Sequence, residues 1–116
     1  MRFAITLLTH RALISADDSA LGVFFTHWTR RKRSWTLQWQ DVITIEAVKV
    51  DIPFDGDQLR LLFQDAGGRW HFISDDMENW AALEKQLRKR YSDFNWDNLD
   101  SAKQHIGTQM SCWRRH

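Results

Sequence analysis

Hydrophobic and polar residues alternate over most of residues 22–74, which is the pattern of half-buried β-strands. Residues 23–29 are rich in β-branched and aromatic residues, and residues 35–40 alternate strictly, with Trp35, Leu37 and Trp39 on one face. The polar residues 30–34 between these stretches contain no Asn-Gly or Asp-Gly pair. We therefore predict a hairpin whose tip is a loop over residues 30–34.

Three further stretches alternate in the same way, namely residues 42–50, 59–64 and 69–74. The segments between them, residues 51–57 and 65–68, are rich in Asp, Gly and Pro. Short connections of this kind join antiparallel neighbours, so the pattern predicts a β-meander. In the last stretch Trp70 is predicted to face the core, and His71 to face solvent or to be a partly buried structural residue.

The hydrophobic period changes after residue 75. Apolar residues then follow at spacings of three, three, four and four, at Met77, Trp80, Leu83, Leu87 and Tyr91. This stripe predicts one amphipathic helix over about residues 76–91. Asp75 as N-cap and Glu78 three positions later match a capping box, in which each side chain accepts a backbone hydrogen bond from the other end of the first turn.

The two ends of the chain carry weaker signals. Residues 1–20 follow neither period, and a short helix or a loosely docked arm fits them equally well. Residues 108–113 are predicted to form a last short strand. Residues 21–116 are therefore predicted to form a single α+β domain, a twisted antiparallel sheet or partly closed sandwich with one helix against it.

A resemblance follows from the strand-to-helix stretch over residues 70–87, which looks like the pleckstrin-homology-like architecture. In that superfamily a helix Trp plugs the open end of a partly closed sandwich, and the resemblance implies this role for Trp80. Residues 37–87 are also similar to small stand-alone bacterial proteins, through the motif Trp39-Gln-Asp-Val-Ile43, an acidic turn and a late Trp113-Arg114 pair. A full pleckstrin-homology sandwich has more strands than this pattern shows, so either the sheet is incomplete or residues 1–20 contribute a strand.

The composition favours a single domain and argues against a membrane protein, a secreted protein and a disulfide-rich protein. The chain has 116 residues, which suits one domain, and 16 Lys and Arg balance 15 Asp and Glu. No apolar run approaches the about 20 residues of a membrane helix, and His10 and Arg11 interrupt the apolar start too early for a signal peptide. The single cysteine, Cys112, excludes a disulfide framework within the chain. We therefore expect a cytoplasmic protein.

Positive charge is concentrated at the predicted hairpin tip. Four consecutive basic residues lie between two tryptophans, in the order Trp28, Arg30, Arg31, Lys32, Arg33 and Trp35. In pleckstrin-homology domains the first hairpin loop holds phosphoinositide head groups, so the resemblance implies an anionic-ligand site here. Positive charge beside aromatic rings also suits the phosphates and bases of nucleic acids. The alternative is a solvated loop that prevents edge-to-edge pairing.

Negative charge dominates residues 51–78, which contain seven Asp and Glu residues and only two arginines. The turn over residues 51–57 and the helix start over residues 75–78 could meet at one end of the sheet and form a docking face for a basic protein. The candidate residues of this face are Asp55, Asp57, Asp75, Asp76 and Glu78. The stretch Asp55-Gly56-Asp57 lacks the ligand alternation and bidentate Glu of an EF-hand, so no metal site is predicted.

Motifs of catalysis are missing from the sequence. No pair of histidines has the i,i+4 spacing of a helical metal site, and no Gly-x-Ser-x-Gly elbow or phosphate-binding glycine loop is present. Cys112 has no evident activating partner. We therefore predict a protein that is not an enzyme and needs no cofactor.

The function hypothesis that fits these features is a binding module for one protein partner. Among such roles an immunity protein, which neutralises a cognate bacterial toxin domain, fits best. The alternative is an anionic-ligand module, for lipid head groups or nucleic acid, that uses residues 30–33. A small hydrolase with a dispersed site would require a concave pocket with converging titratable groups. Two or more exposed members of the set Trp28, Trp35, Trp96 and Trp113 would mark an interface.

Overall fold

The structure is a computed structural model. It describes residues 10–27 and 31–116, and the side chains of residues 12–25 and 35–116. Within these ranges the strands are β1 (His10–Ala16), β2 (Ala20–His27), β3 (Arg31–Gln38), β4 (Val42–Ile52), β5 (Gly56–Asp65), β6 (Trp70–Ser74) and β7 (Met110–Arg114). The helices are α1 (Trp80–Arg90) and α2 (Trp96–Gln104), and Trp39–Asp41 forms a 3-10 turn between β3 and β4.

The strands form two antiparallel sheets. One sheet has the order β1-β2-β3 and the other has the order β6-β5-β4-β7. Every strand except β7 pairs with its neighbour in sequence, so the predicted meander is confirmed in each sheet. The two sheets and two helices make an α+β domain, as predicted.

The core lies between the sheets and the helices. On β5 the side chains of Leu59, Leu61 and Phe63 are buried, whereas the residues between them are only half-buried, so the predicted alternation is confirmed. Burial of each large apolar side chain contributes about 1.5–3 kcal/mol. The sheets and helices bury side chains of the same kind at Ile14, Leu21, Val23, Leu37, Ile45, Ile73, Leu83, Leu87 and Leu99.

The prediction of an arm or short helix over residues 1–20 is wrong for the described part of that segment, and the alternative, that residues 1–20 contribute a strand, is confirmed. His10–Ala16 is strand β1, which pairs with β2 along its whole length, and residues 1–9 lie outside the described residues. The inward positions of β1 include Ala12, Ile14 and Ala16. Two of these three residues are alanines, and alanine is uncommon in strands compared with β-branched and aromatic residues. The strand therefore gave no clear signal in the sequence.

The β2–β3 hairpin is present, but its predicted tip is too long. β3 already begins at Arg31, and the backbones of Arg31, Lys32 and Arg33 pair with Thr26, Phe25 and Phe24 of β2. Backbone hydrogen bonding between strands does not require apolar side chains. The basic residues can therefore extend the strand that the alternating residues after them already form. Trp28 and Arg30, the other predicted members of the basic loop, lie outside the described residues.

The helix α1 begins later than predicted, at Trp80, so the predicted capping box is wrong. Its N-cap is Asn79, in the left-handed region with φ 74°. Asp75 instead donates its N–H to the carbonyl of Leu59 at 3.0 Å, and Glu78 donates its N–H to the carbonyl of Ala12 at 3.0 Å. Both residues are thus held by the sheets, which prevents the helical turn that a capping box needs.

The apolar stripe of the helix is confirmed. Leu83, Leu87 and Tyr91 are buried, and Met77 and Trp80 pack against the core.

The prediction of a single helix is wrong, because α2 follows. α2 has only two buried residues, Leu99 and Ala102, and therefore leaves no long stripe in the sequence. The predicted last strand is confirmed as β7.

The predicted orientation of β6 is wrong. Trp70 and Phe72 are 46% and 40% exposed, whereas His71 is half-buried and Ile73 is buried. Ile73 pairs with Leu61 and His71 with Phe63. Because paired residues share a face of the sheet, the buried positions of β5 decide which face of β6 turns inward.

Gly22 in β2 offers a test of this packing. A Cβ atom at residue 22 would lie 2.6 Å from the carbonyl oxygen of Trp35 on β3, a backbone atom that cannot move without disturbing the sheet. We expect Gly22→Ala to lower the free energy of unfolding by about 1–3 kcal/mol, measured by urea denaturation. Gly67→Ala is the control, since its Cβ would come no closer than 3.4 Å to the Asp65 side chain. Equal stability of both variants would contradict the expected clash.

Candidate functional site

Two acidic segments meet at one end of the four-stranded sheet, as the sequence suggested. Gln58, at the start of β5, donates its side-chain amide to Asp76 at 2.9 Å, and Asp75 is hydrogen-bonded to the backbone of Leu59. The β4–β5 turn and the connection after β6 are therefore neighbours. We call this surface the acidic end and define it by Asp51, Asp55, Asp57, Asp75 and Asp76, all of which are exposed.

Three of the five carboxylates of the acidic end also have structural partners. Asp57 lies 3.6 Å from the ammonium of Lys49. Asp76 accepts a hydrogen bond from the Ser74 hydroxyl at 2.6 Å, and Asp75 accepts one from the backbone N–H of Leu59 at 3.2 Å. Within the described residues the carboxylates of Asp51 and Asp55 make no hydrogen bond or ion pair. These two charges are thus available to a partner.

Glu78 is separate from the acidic end, although the sequence grouped it there. Its backbone forms a bridge to Leu13 of β1, and its carbonyl accepts the N–H of Ile14 at 2.9 Å. Glu78 therefore belongs to the seam between the two sheets. The sequence pattern did not reveal this contact, because the contact pairs Glu78 with residues of β1 that lie more than sixty positions earlier in the chain.

Phe54 is the surface feature that the sequence analysis missed. It lies in the turn between β4 and β5 with φ 71°, and its side chain is fully exposed among the aspartates of the acidic end. A bulky residue in the left-handed region is uncommon, and a fully exposed phenyl ring contributes nothing to the core. The stretch Pro53-Phe54-Asp55-Gly56 predicts a turn, and an aromatic residue inside such a turn is the only signal the sequence offers.

Most side chains of the predicted basic site lie outside the described residues. Trp28 and Arg30 lie outside them, and the side chains of residues 31–33 are not described. Trp35, the remaining member, is half-buried and its ring centroid lies 4.8 Å from that of His71. Trp35 therefore packs between the sheets. Trp96 and Trp113 are also half-buried, so these three tryptophans do not form the exposed aromatic group that the sequence analysis considered.

His71 and Asp65 form the nearest approach to a catalytic pair in the described chain. The His71 Nε2 atom lies 2.9 Å from Asp65 Oδ2, and Asp65 Oδ1 accepts the backbone N–H groups of Gly67 and Arg69 at 2.9 and 3.0 Å. The hydrogen bond from His71, followed by those from the backbone, lowers the pKa of Asp65. The adjoining depression of about 460 Å³ is lined by Leu37, Asp41, Asp65, Ala66, Gly67 and Arg69, and contains no Ser, Thr, Cys or Lys side chain.

Cys112, the one thiol of the chain, is buried. Burial and the nearby charge of Glu46 raise the pKa of Cys112 to about 12. Among the described residues no group of three or more His, Cys, Asp or Glu side chains could hold a metal ion. In the same ranges neither helix is long and apolar enough to cross a membrane.

Positive charge lies at the opposite end of the same sheet. The guanidinium of Arg115 donates to the carbonyls of Gln40 and Val42, both at 2.7 Å, where β4 begins. Arg90 lies over the ring of Trp39, 4.9 Å from its centroid. The 11 residues of β4, at about 3.3 Å each, separate this basic end from the acidic end.

Comparison of the chain with protein-family models, with curated proteins and with solved structures finds no match. The site can therefore be judged only on its own geometry and charge.

Asp65 supports a prediction about pH. Because its pKa is lowered in the folded protein, the ionised form stabilises the fold above the ordinary Asp pKa of about 3.9, and this stability is lost as pH falls through the lowered pKa. We expect Asp65→Asn to be less stable than the wild type near neutral pH, and the difference to shrink in acid. Urea midpoints along a pH series measure this, with Asp100→Asn on α2 as control. A constant difference across the series would refute it.

Cys112 supports a prediction about reactivity. A buried thiol with a pKa of about 12 has almost no thiolate at neutral pH, so it should not react with a disulfide reagent in the native state. We expect complete labelling by Ellman's reagent in denaturant and, without denaturant, a rate limited by opening of the fold. Glutathione in the same cuvette is the control for reagent activity. Native-state labelling as fast as that of glutathione would reopen a nucleophilic role.

Proposed function

We propose that the chain is a cytoplasmic, non-enzymatic protein-binding module, and specifically an immunity protein that neutralises a cognate bacterial toxin domain. The observation that supports this proposal is the acidic end with Phe54 at its tip. Asp51 and Asp55, whose carboxylates have no ion pair or hydrogen bond within the described residues, lie within three positions of Phe54 in the chain, and the Phe54 ring is fully exposed. A large apolar anchor surrounded by charge of one sign is the composition of an interface for a basic protein.

The shape of the acidic end favours a protein over a small ligand. Small-molecule sites are concave and enclose most of their ligand. Phe54 instead projects from a turn. The depressions that contain Leu37, Trp39 and Lys85 are lined by no residue of the acidic end. A projecting ring of this kind is buried when a partner supplies the cavity.

The chemistry of the described residues favours binding over catalysis. Asp65 is engaged by His71 and by its own turn, and the Cys112 thiol is held in its protonated form. The residues with exposed and unshared charge, Asp51 and Asp55, are suited to electrostatic attraction. An inhibitor that acts by occupying its target needs a rigid scaffold and a complementary surface and no reacting group.

The test is protection of cells from the toxin domains encoded beside the gene. We expect the wild type to restore growth and to bind one such domain in a salt-dependent manner. The variant Asp51→Asn/Phe54→Ser/Asp55→Asn should bind at least about tenfold more weakly, a loss of about 1.4 kcal/mol or more, and should not protect. Titration calorimetry over a salt series measures the affinity.

The matched control is Asp97→Asn/Asp100→Asn/Ile106→Ser, which removes the same two charges and one exposed apolar side chain from α2 and the loop that follows it. We expect it to protect like the wild type. Failure of the wild type to bind or protect against every neighbouring toxin domain would refute the proposed function. Unchanged binding by the acidic-end variant would refute the assignment of the surface.

A further inference from the structure

Within the described residues, the outer edge of β6 presents unpaired backbone groups at Trp70 and Phe72. In these ranges β6 pairs only with β5. At the two ends of this ladder the N–H of Asp75 donates to the carbonyl of Leu59, and the N–H of Asp65 donates to the carbonyl of Arg69. Hydrogen-bonded pairs alternate along an antiparallel ladder, so the N–H and C=O groups of Trp70 and Phe72 point away from β5. No hydrogen bond to these groups is made within the described part of the chain.

Within the described residues, two of the other three sheet edges carry hydrogen bonds to a neighbouring segment. The edge of β1 is covered by Glu78, which exchanges hydrogen bonds with Ala12 and Ile14. The edge of β7 is covered by the start of α2, where Asn95 N–H donates to the carbonyl of Cys112 at 2.7 Å. β6 contains no Lys, Pro or bulge that would discourage pairing with another chain.

The side chains beside this edge form an apolar strip. Trp70 and Phe72 are 46% and 40% exposed on the outer face of the sheet, and Phe72 pairs with Leu62 of β5. The guanidinium of Arg60 lies 4.5 Å from the centroid of the Phe72 ring. Exposed backbone groups with aromatic side chains at alternate positions are what an added strand requires, because the backbone supplies affinity and the side chains supply selectivity.

We propose that β6 accepts an extended segment of the partner protein as an additional antiparallel strand. The proposal rests on the protein-binding function and deepens it. The acidic end begins where the open edge stops, since the Ser74 hydroxyl donates to Asp76 and the Ser74 carbonyl accepts the N–H of Met77 at 3.1 Å. In an antiparallel segment, the residue opposite Ser74 comes first, and those opposite Phe72 and Trp70 follow at intervals of two. The segment therefore carries a basic residue followed by two apolar residues, each two positions further on.

The experiment selects peptides from a random nonapeptide library displayed on phage, with the full wild-type chain as bait. We expect enriched peptides to share the spacing basic-x-apolar-x-apolar. A synthetic peptide of that sequence should slow hydrogen exchange at the amides of Trp70 and Phe72, which the free chain leaves exposed at the edge. Absence of any enriched peptide, or protection confined to other residues, would overturn the proposal.

Two substitutions at one position separate the backbone from the side chain. Phe72→Thr removes the ring and keeps the N–H, whereas Phe72→Pro removes both, at an edge position where proline is tolerated. We expect peptide affinity to fall about tenfold or more in Phe72→Pro, and less in Phe72→Thr. Ile106→Thr, which changes an exposed apolar residue away from β6, should bind like the wild type. Equal affinities of all variants would contradict strand addition, and if Phe72→Pro does not fold, Phe72→Lys takes its place.

The remaining outcomes separate this proposal from the proposed function. A wild-type dimer in sedimentation equilibrium that is lost in Phe72→Pro would mean that a second copy covers the edge, which would overturn the proposal. If Phe72→Pro still protects cells from the toxin while the acidic-end variant does not, the immunity function stands and strand addition fails. If both variants fail to protect and both remain folded, the two surfaces belong to one interface.

Discussion

The connection between β6 and α1 joins the two sheets, and the rest of the structure depends on it. Asp75 pairs with Leu59 at the start of the connection, and Glu78 pairs with Ala12 and Ile14 at its end. The Asn79 side chain adds a hydrogen bond to the carbonyl of Ile14 at 3.1 Å. Three residues of the connection, Asp75, Glu78 and Asn79, thus satisfy backbone groups of both sheets. Each such group would cost about 1–3 kcal/mol if it were buried without a partner.

This seam also determines which surfaces remain open. Because the connection turns away from β6 to reach β1, it closes the edge of β1 and leaves that of β6 uncovered. The same turn holds Asp75 and Asp76 beside Gln58 and Leu59, next to the β4–β5 turn. The acidic end and the open edge therefore lie side by side as consequences of one chain path. A partner that reaches one of them is already positioned to contact the other.

The sequence predicted the elements whose signal is local and strong. The alternation in β5 and the stripe through Leu83 and Leu87 both report burial on one face, and both are confirmed. The errors arise where distant pairing overrides local pattern. Asp75 and Glu78 have the spacing of a capping box, yet the sheets take their backbone groups. Trp70 and Phe72 are the two aromatic residues of their strand apart from His71, yet the buried face of β5 assigns the interior to His71 and Ile73.

The candidate site was only partly predictable for a related reason. Charges in turns are visible in any sequence, so the acidic end was found, and its two segments were correctly placed together. Exposure of an aromatic residue carries no such signal, because Phe54 and Trp70 read like core residues until the fold shows which way they point. In a chain with seven Trp and seven Phe, most rings are used in packing. Among the described aromatic residues, the fold turns Phe54 outward at the acidic end, Trp70 and Phe72 on β6, and Phe25 on β2. The rings at the acidic end and on β6 are the ones that link the scaffold to the proposed binding.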